Sequence, residues 1–547
     1  VRRRLGLFGT SLLVAALAAC SSSASKSSST PTTTKGSTPA TAPKCVPPDT
    51  GTPVVATRVP GVPSDWTMTA FDGAKIRLHW FPAPGATGAN RKPTVLMGPG
   101  WGLAGDVKSG SSAGLFGALS VDGLNQSGYN VLTWDPRGFG VSTGTVEVDS
   151  KDFEGRDVER MLDWVSTRPG VLLDAPRDPR VGMAGGSYGG GIQLVTAAID
   201  CRVDAITPLI AWHSLTTSLE KNGTPKTGWD SILVTATKGR SVDPHIPHAY
   251  QNAITTATIS AADQAWFGSR GPGDLVSHIT APTLVVQGTV DNLFSLNEGI
   301  TNYRILREHG VPAAMVWFCG GHGICLTKPG ASTLVSDAVM AWLNRYVKRD
   351  PRVATGPALR FVDQNGKLYA ASDYPIPLGR PITANGAGTL PLVADGGSGP
   401  AHAPASGTDV VGTIAAVVTP AKAANAVNVS IPTPAAVIVG APTLDLTYSG
   451  TAGPGTRPTW VFAQLVDGAT GIVLGNQITP IAVTLDGKPH TANVSLEDVA
   501  FTARPGGHLT LQLVPTTVAY APPRLGGNVH FTKIAISLPV AAHLTPQ

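Results

Sequence analysis

Residues 181–190 read Val-Gly-Met-Ala-Gly185-Gly186-Ser187-Tyr188-Gly189-Gly190. An apolar run precedes this G-x-S-x-G pentapeptide and a helix-capable stretch from Ile192 follows it, the pattern of a sharp strand-to-helix turn that exposes a hydroxyl. Such a turn brings backbones close together, so only small residues fit beside the serine. A serine hydroxyl is a weak nucleophile until a base takes its proton, and the base needs a carboxylate to orient it. In a strand-turn-helix setting these partners are expected in the order Ser, Asp, His. The sequence supplies them. Asp291 follows the apolar run 283–288, and His322 stands between Gly321 and Gly323 just past the run 315–318. Alone, Asp291 would read as a turn carboxylate and His322 as a loop histidine. Of the 12 histidines, however, only His322 directly follows a strand in the last strand–helix unit of this region. Together the three residues predict nucleophile (Ser187), base (His322) and orienting acid (Asp291). The Tyr188 N–H, at the helix start, is placed to face a developing oxyanion. A second donor is expected from the loop after 94–98, Gly98-Pro-Gly-Trp101-Gly102, through the Trp101 N–H; the Trp101 indole could equally be a pocket wall or plain core.

These residues need a sheet to hold them. Between 53 and 350, apolar runs alternate with amphipathic stretches, with strands expected at 76–80, 94–98, 130–134, 181–184, 205–210, 283–287 and 314–318. Val158, Met161, Leu162 and Val165 recur at helical spacing, as do Val335, Val339, Trp342, Leu343 and Tyr346. Residues 214–280 fit no strand position and carry Trp229, Trp266 and Phe267, which predicts an inserted cap over the C-terminal edge of the sheet. After 350 the helical period fades. Leu509, Leu511 and Leu513 alternate with polar neighbours, and a change of phase at Thr532-Lys533 predicts a bulge.

Three other motifs are weaker. Gly100-Trp-Gly102-Leu-Ala-Gly105 matches a dinucleotide fingerprint, but Asp135 lies 30 residues beyond Gly105 instead of about 20. Ser218-Leu-Glu-Lys221 and Lys226-Thr-Gly228 resemble penicillin-binding motifs but are too close together, with no S-D-N between them. Asp243-Pro-His245-Ile-Pro-His248 reads as a polar cap loop. No metal or cofactor is expected.

Gly-Gly-Ser-Tyr-Gly-Gly at 185–190, Asp135-Pro-Arg-Gly-Phe-Gly140-Val-Ser142 and Asp72-Gly-Ala-Lys-Ile-Arg-Leu78 resemble the α/β-hydrolase family of X-Pro dipeptidyl-peptidases and cocaine esterase. The tail agrees: Trp460-Val-Phe-Ala-Gln-Leu-Val-Asp467, Gly475 and the segment 506–514 are similar to that family's C-terminal jelly roll. The resemblance spans about 53 to 539. It implies an α/β-hydrolase domain with a helical cap and a C-terminal all-β jelly-roll sandwich. It also implies hydrolysis of small ester, amide or peptide substrates through Ser187, Asp291 and His322. In one respect the chain departs. Members often carry a tyrosine beside the oxyanion loop whose hydroxyl is a donor, whereas Gly98-Pro-Gly-Trp101 has none, and no residue maps onto a site for a substrate's amino terminus.

The ends and the composition complete the reading. Arg2–Arg4 precede an uncharged apolar stretch, residues 5–19, and Leu17-Ala-Ala-Cys20 is similar to a bacterial lipobox, so an export leader (1–19) and a lipidated Cys20 are expected. In residues 21–44, 14 of 24 are Ser or Thr, the composition of a tether. The expected organisation is thus leader 1–19, tether 20–48, catalytic domain 49–350 with its cap at 214–280, and sandwich 351–547. The location implied is the outer face of a bacterial cell membrane. The formal charge of +5 falls to about +2 without the leader, and only 14% of residues are charged, so a nucleic-acid partner is not expected. Four further cysteines in an exported chain suggest two disulfides, Cys319–Cys325 and Cys45–Cys201. The competing functions are acyl transfer to an envelope acceptor by the same triad, or a non-catalytic binding lipoprotein.

Overall fold

The computed structural model describes residues 45–51, 53–107, 110, 119–402, 415–544 and 546–547. The expected leader 1–19, the lipidation site Cys20 and the tether up to residue 44 lie outside the described residues.

Each apolar run expected as a strand joins a single sheet of eleven. In spatial order its strands are Ala56–Arg58, Asp65–Thr69, Lys75–Phe81, Asn130–Trp134, Thr94–Gly98, Val181–Gly186, Val203–Leu209, Thr283–Gly288, Ala313–Phe318, Leu359–Val362 and Leu368–Ala371. The strands from Asn130–Trp134 through Leu359–Val362 pair in parallel, and the pairings at both edges are antiparallel. Helices cover both faces. Glu154–Ser166, Tyr188–Ile199 and Leu296–Glu308 contribute to one apolar cluster, and Val121–Gln126 and Leu334–Tyr346 to another on the opposite face. Burial on both faces is why these strands read as unbroken apolar runs instead of alternating ones.

One expected boundary needs correction. The sheet does not stop at 350, because Leu359–Val362 and Leu368–Ala371 extend it beyond that expected boundary. Both are four residues long, too short for a periodic signal to stand out. The insert at 214–280 is mostly helical, with Leu215–Leu219, Thr227–Ala236, His245–Thr256 and Ala261–Gly268, but Glu220–Lys221 and Thr224–Pro225 also pair as a minimal hairpin.

Beyond the sheet, Ile382–Pro391, Gly527–Leu538, Thr443–Ala452 and His490–Ser495 form one antiparallel sheet, and Val427–Thr433, Gly507–Val514, Trp460–Asp467 and Thr479–Ala482 a second. Their inner faces, including Leu444, Ile534, Val461 and Leu511, share one core, which makes this a β-sandwich. The bulge falls where the change of phase put it: Thr447 pairs with Lys533 and Tyr448 with Phe531, so Thr532 is the extra residue. The second sheet's outer face is solvated along Val427–Thr433 but covered farther in. Gln512 is buried there, and its side chain meets Ala423, Asn428 and Gln464 through four hydrogen bonds of 2.9–3.1 Å. Residues 45–547 form one compact unit.

Candidate active site

Ser187 stands between the strand Val181–Gly186 and the helix Tyr188–Ile199, with φ 58° and ψ −117°. A non-glycine residue held at positive φ is strained, and here the strain lifts the hydroxyl off the sheet. The neighbouring strand explains the glycines: a Cβ at position 189 would lie 2.1 Å from the Gly98 carbonyl oxygen. The elbow therefore rests directly on the loop that follows Thr94–Gly98.

The structure brings Ser187, His322 and Asp291 into one hydrogen-bonded chain. His322 Nε2 is 2.8 Å from the Ser187 hydroxyl, and its Nδ1 is 2.8 Å from Asp291 Oδ2. Asp291 is buried, and its carboxylate is fully engaged. Oδ2 also accepts the His322 N–H (3.0 Å), and Oδ1 accepts the N–H groups of Leu293 (3.0 Å) and Phe294 (2.9 Å). The imidazole is braced edge-on by Phe294 and Trp229, with ring centroids 4.9 Å and 5.8 Å away, and the Trp229 indole is fixed by Asn292. His322 lies inside the ring closed by Cys319 and Cys325, and Cys45 is joined to Cys201, so both expected disulfides are present.

Tyr188 is the first residue of its helix, so its N–H is among the leading donors without an intrahelical acceptor. Trp101 follows the Thr94–Gly98 strand. Its indole donates to the Leu233 carbonyl (3.0 Å), and its ring packs edge-on against Tyr188 and Phe139. The Trp101 side chain thus serves as a wall, one of the alternatives that the sequence left open for it.

Ser187 opens onto a cavity with about 730 Å³ of atom-free space, mouth included. The walls are nearly all apolar, among them Trp101, Trp212, Leu233, Ile246, Phe267 and Phe294. Of the cap aromatics, Phe267 lines the cavity, Trp229 braces His322, and Trp266 stacks on His245. One lining residue is an acid. Asp230 lies on the cap helix Thr227–Ala236, and burial holds its carboxyl well above the usual carboxylate range, with Lys226 pulling the other way. The Lys226 ammonium is directed instead at the Leu293 carbonyl, 2.7 Å away. Nothing in the spacing of the cap marked Asp230, because a single acidic residue on an amphipathic helix is ordinary.

Beneath the elbow lies a layer of acids that the sequence also did not reveal. The Tyr188 hydroxyl donates to Glu154 (3.2 Å), whose carboxylate also accepts the N–H groups of Glu147 (2.8 Å) and Ser150 (2.9 Å). Asp157 is bridged by Arg137 through two bonds of 2.8 and 2.9 Å. The Asp243–His248 segment, expected as a loop, opens the helix His245–Thr256 and acts as a cap clasp: His245 and His248 both bond the Asp263 carboxylate at 2.8 Å. No cluster of metal-ligating side chains occurs among the described residues.

With this geometry in place, residues 72–323 match the family model of X-Pro dipeptidyl-peptidases (S15 family). The chain carries an S15-family domain. It is a hydrolytic enzyme. The S15 match includes the elbow, the acid and the histidine. A CocE/NonD family hydrolase from Staphylococcus aureus has a similar fold, with TM-score 0.64, 13% identity, and coverage of 87% of this chain and 93% of that one. So does an aminopeptidase from a marine-sediment Thaumarchaeota archaeon, with TM-score 0.62, 13% identity, and coverage of 93% and 99%. At these identities the likeness is one of fold, and it includes the sandwich. No curated protein sequence matches the chain.

Proposed function

We propose that this protein is an exported, lipid-anchored serine hydrolase that cleaves an ester or amide bond through an acyl-enzyme formed on Ser187. The observation that carries the reading is the unbroken chain from Ser187 through His322 to Asp291, opening on an apolar cavity. As the Ser187 oxygen attacks the carbonyl carbon, His322 Nε2 takes its proton, and Asp291 holds the Nδ1–H and stabilises the imidazolium. The N–H groups of Tyr188 and Trp101 receive the oxyanion. His322 then returns the proton to the leaving alcohol or amine, and water repeats the sequence to release the acid and restore Ser187. The cavity suits an apolar group on the substrate. Within it, the Asp230 carboxylate is a counter-charge for a basic nitrogen, the feature that separates aminoacyl substrates from plain acyl esters.

Two disulfides support export, since such bonds persist outside the reducing cytosol. Cys20 is the proposed lipid attachment site and would anchor the enzyme at the cell membrane.

The test is labelling with a fluorophosphonate probe alongside turnover of p-nitrophenyl butyrate. The full chain is expected to label stoichiometrically and to hydrolyse the ester, and Ser187→Ala to do neither. Equal labelling of the two chains would remove Ser187 as the nucleophile.

A further inference from the structure

One turn of the sandwich reaches the loops that carry the acid and the base. After the strand Trp460–Asp467 the chain doubles back through the short 3₁₀ segment Leu474–Asn476. Gly475 and Asn476 both have positive φ (66° and 53°), and both are buried. This conformation is uncommon for a residue with a side chain. It presents two neighbouring amides to the two loops that carry the acid and the base. Gln477 Nε2 donates to the backbone carbonyl of Asp291 itself at 2.6 Å, and Asn476 Nδ2 donates to the carbonyl of Ile324, two residues past His322, at 2.8 Å. The two loops also touch each other: a Cβ at position 323 would lie 1.8 Å from the Val290 carbonyl oxygen and 3.3 Å from Asn476 Nδ2.

The turn is itself fixed to the central sheet. Gln364, just beyond the strand Leu359–Val362, accepts the Gly475 N–H (2.9 Å) and donates to the Val473 carbonyl (3.1 Å), and its own N–H bonds the Ala500 carbonyl of the sandwich (3.1 Å). A rigid path therefore runs from the sheet, through the sandwich turn, to both catalytic loops.

We propose that Gln477 and Asn476 are positioning residues for Asp291 and His322, so that the sandwich completes the frame of the catalytic triad. The proposal rests on the triad reading above. Neither amide touches the reacting atoms. Each fixes the backbone from which a reacting side chain projects, and with it the His322–Ser187 distance on which proton transfer depends. Small displacements of that kind slow chemistry more than they weaken substrate binding.

The test uses three variants of the full chain. Gln477→Met keeps the side-chain volume and removes the donor. Asn476→Gly keeps the positive φ and removes the amide. Val429→Ala, in the sandwich core, controls for loss of stability alone. With p-nitrophenyl butyrate, Gln477→Met and Asn476→Gly are expected to lower kcat by between roughly tenfold and a hundredfold, with KM changed by less than about twofold. Fluorophosphonate labelling of Ser187 should slow by the same factor, whereas Val429→Ala should lower Tm and leave both rates intact. Unchanged kcat and labelling in Gln477→Met and Asn476→Gly would overturn the proposal, as would a loss of rate that Val429→Ala reproduces at equal loss of Tm. Failure of the triad reading is separately visible, as phosphonate labelling of the otherwise unaltered chain that survives Ser187→Ala.

Discussion

A carboxyl in an apolar cavity is costly unless something compensates it. Asp230 shares its cavity with Ser187 and six aromatic rings, those of Trp101, Tyr188, Trp212, Tyr250, Phe267 and Phe294, and the cation whose field reaches it is engaged elsewhere. A bound substrate carrying a basic nitrogen would supply the missing charge. Asp230→Leu is therefore expected to raise Tm while lowering kcat/KM for aminoacyl anilides by about tenfold or more, the scale of one charge-assisted hydrogen bond. Turnover of neutral acyl esters should hold or improve. A uniform loss across both substrate classes would mean that Asp230 only shapes the cap. The reacting residues were legible in the sequence because Ser187, Asp291 and His322 each follow a strand, and the strands announce themselves as apolar runs. Asp230, Asn476 and Gln477 were not legible. Their roles come from where the cap and the sandwich fold back, and no local spacing encodes that.

At the scale of elements, the strand-turn-helix at 181–199 explains the glycines around Ser187, and the buried acids beneath it explain how the turn is backed. Glu154 opens the helix Glu154–Ser166 and takes the Tyr188 hydroxyl from below. Burial pushes its carboxyl up to about 7, against the pull of the backbone N–H groups that it accepts. In the unfolded chain the same group releases its proton near 4.5. Between those values the folded protein holds the extra proton, so this group makes stability fall as pH rises through that window and level off above it. Glu154→Gln removes the contribution. Its Tm is expected to decline less than that of the unsubstituted chain between pH 5 and pH 8, and parallel Tm curves would show that Glu154 does not titrate there. The strands that the sequence missed are instructive in the same way. Leu359–Val362 and Leu368–Ala371 are short and lie past the last amphipathic helix, where the apparent end of helical periodicity set the expected boundary too early.

At the scale of the whole molecule, the sandwich is no appendage. Phe361 and Tyr369 of the sheet share a core with Val439 and Ala500, and Ala257 of the cap packs into a cluster with Trp460, Phe462 and Tyr520. The cap, the sheet and the sandwich therefore support one another, and the cavity and the histidine loop both lie within that joint structure. The loop has one further restraint, the covalent ring from Cys319 to Cys325 around His322. With its thiols reduced, this segment would be an open, glycine-rich loop that holds its base less firmly. Oxidation closes it. With the export proposed above, catalytic competence would be acquired outside the cell interior, which would shield the maker from its own hydrolase. Protein produced under reducing conditions is expected to turn over p-nitrophenyl butyrate at least about tenfold more slowly than oxidised protein. Cys319→Ala/Cys325→Ala should behave like the reduced form whatever the surroundings, and full activity in that double variant would show that the ring merely stabilises the fold.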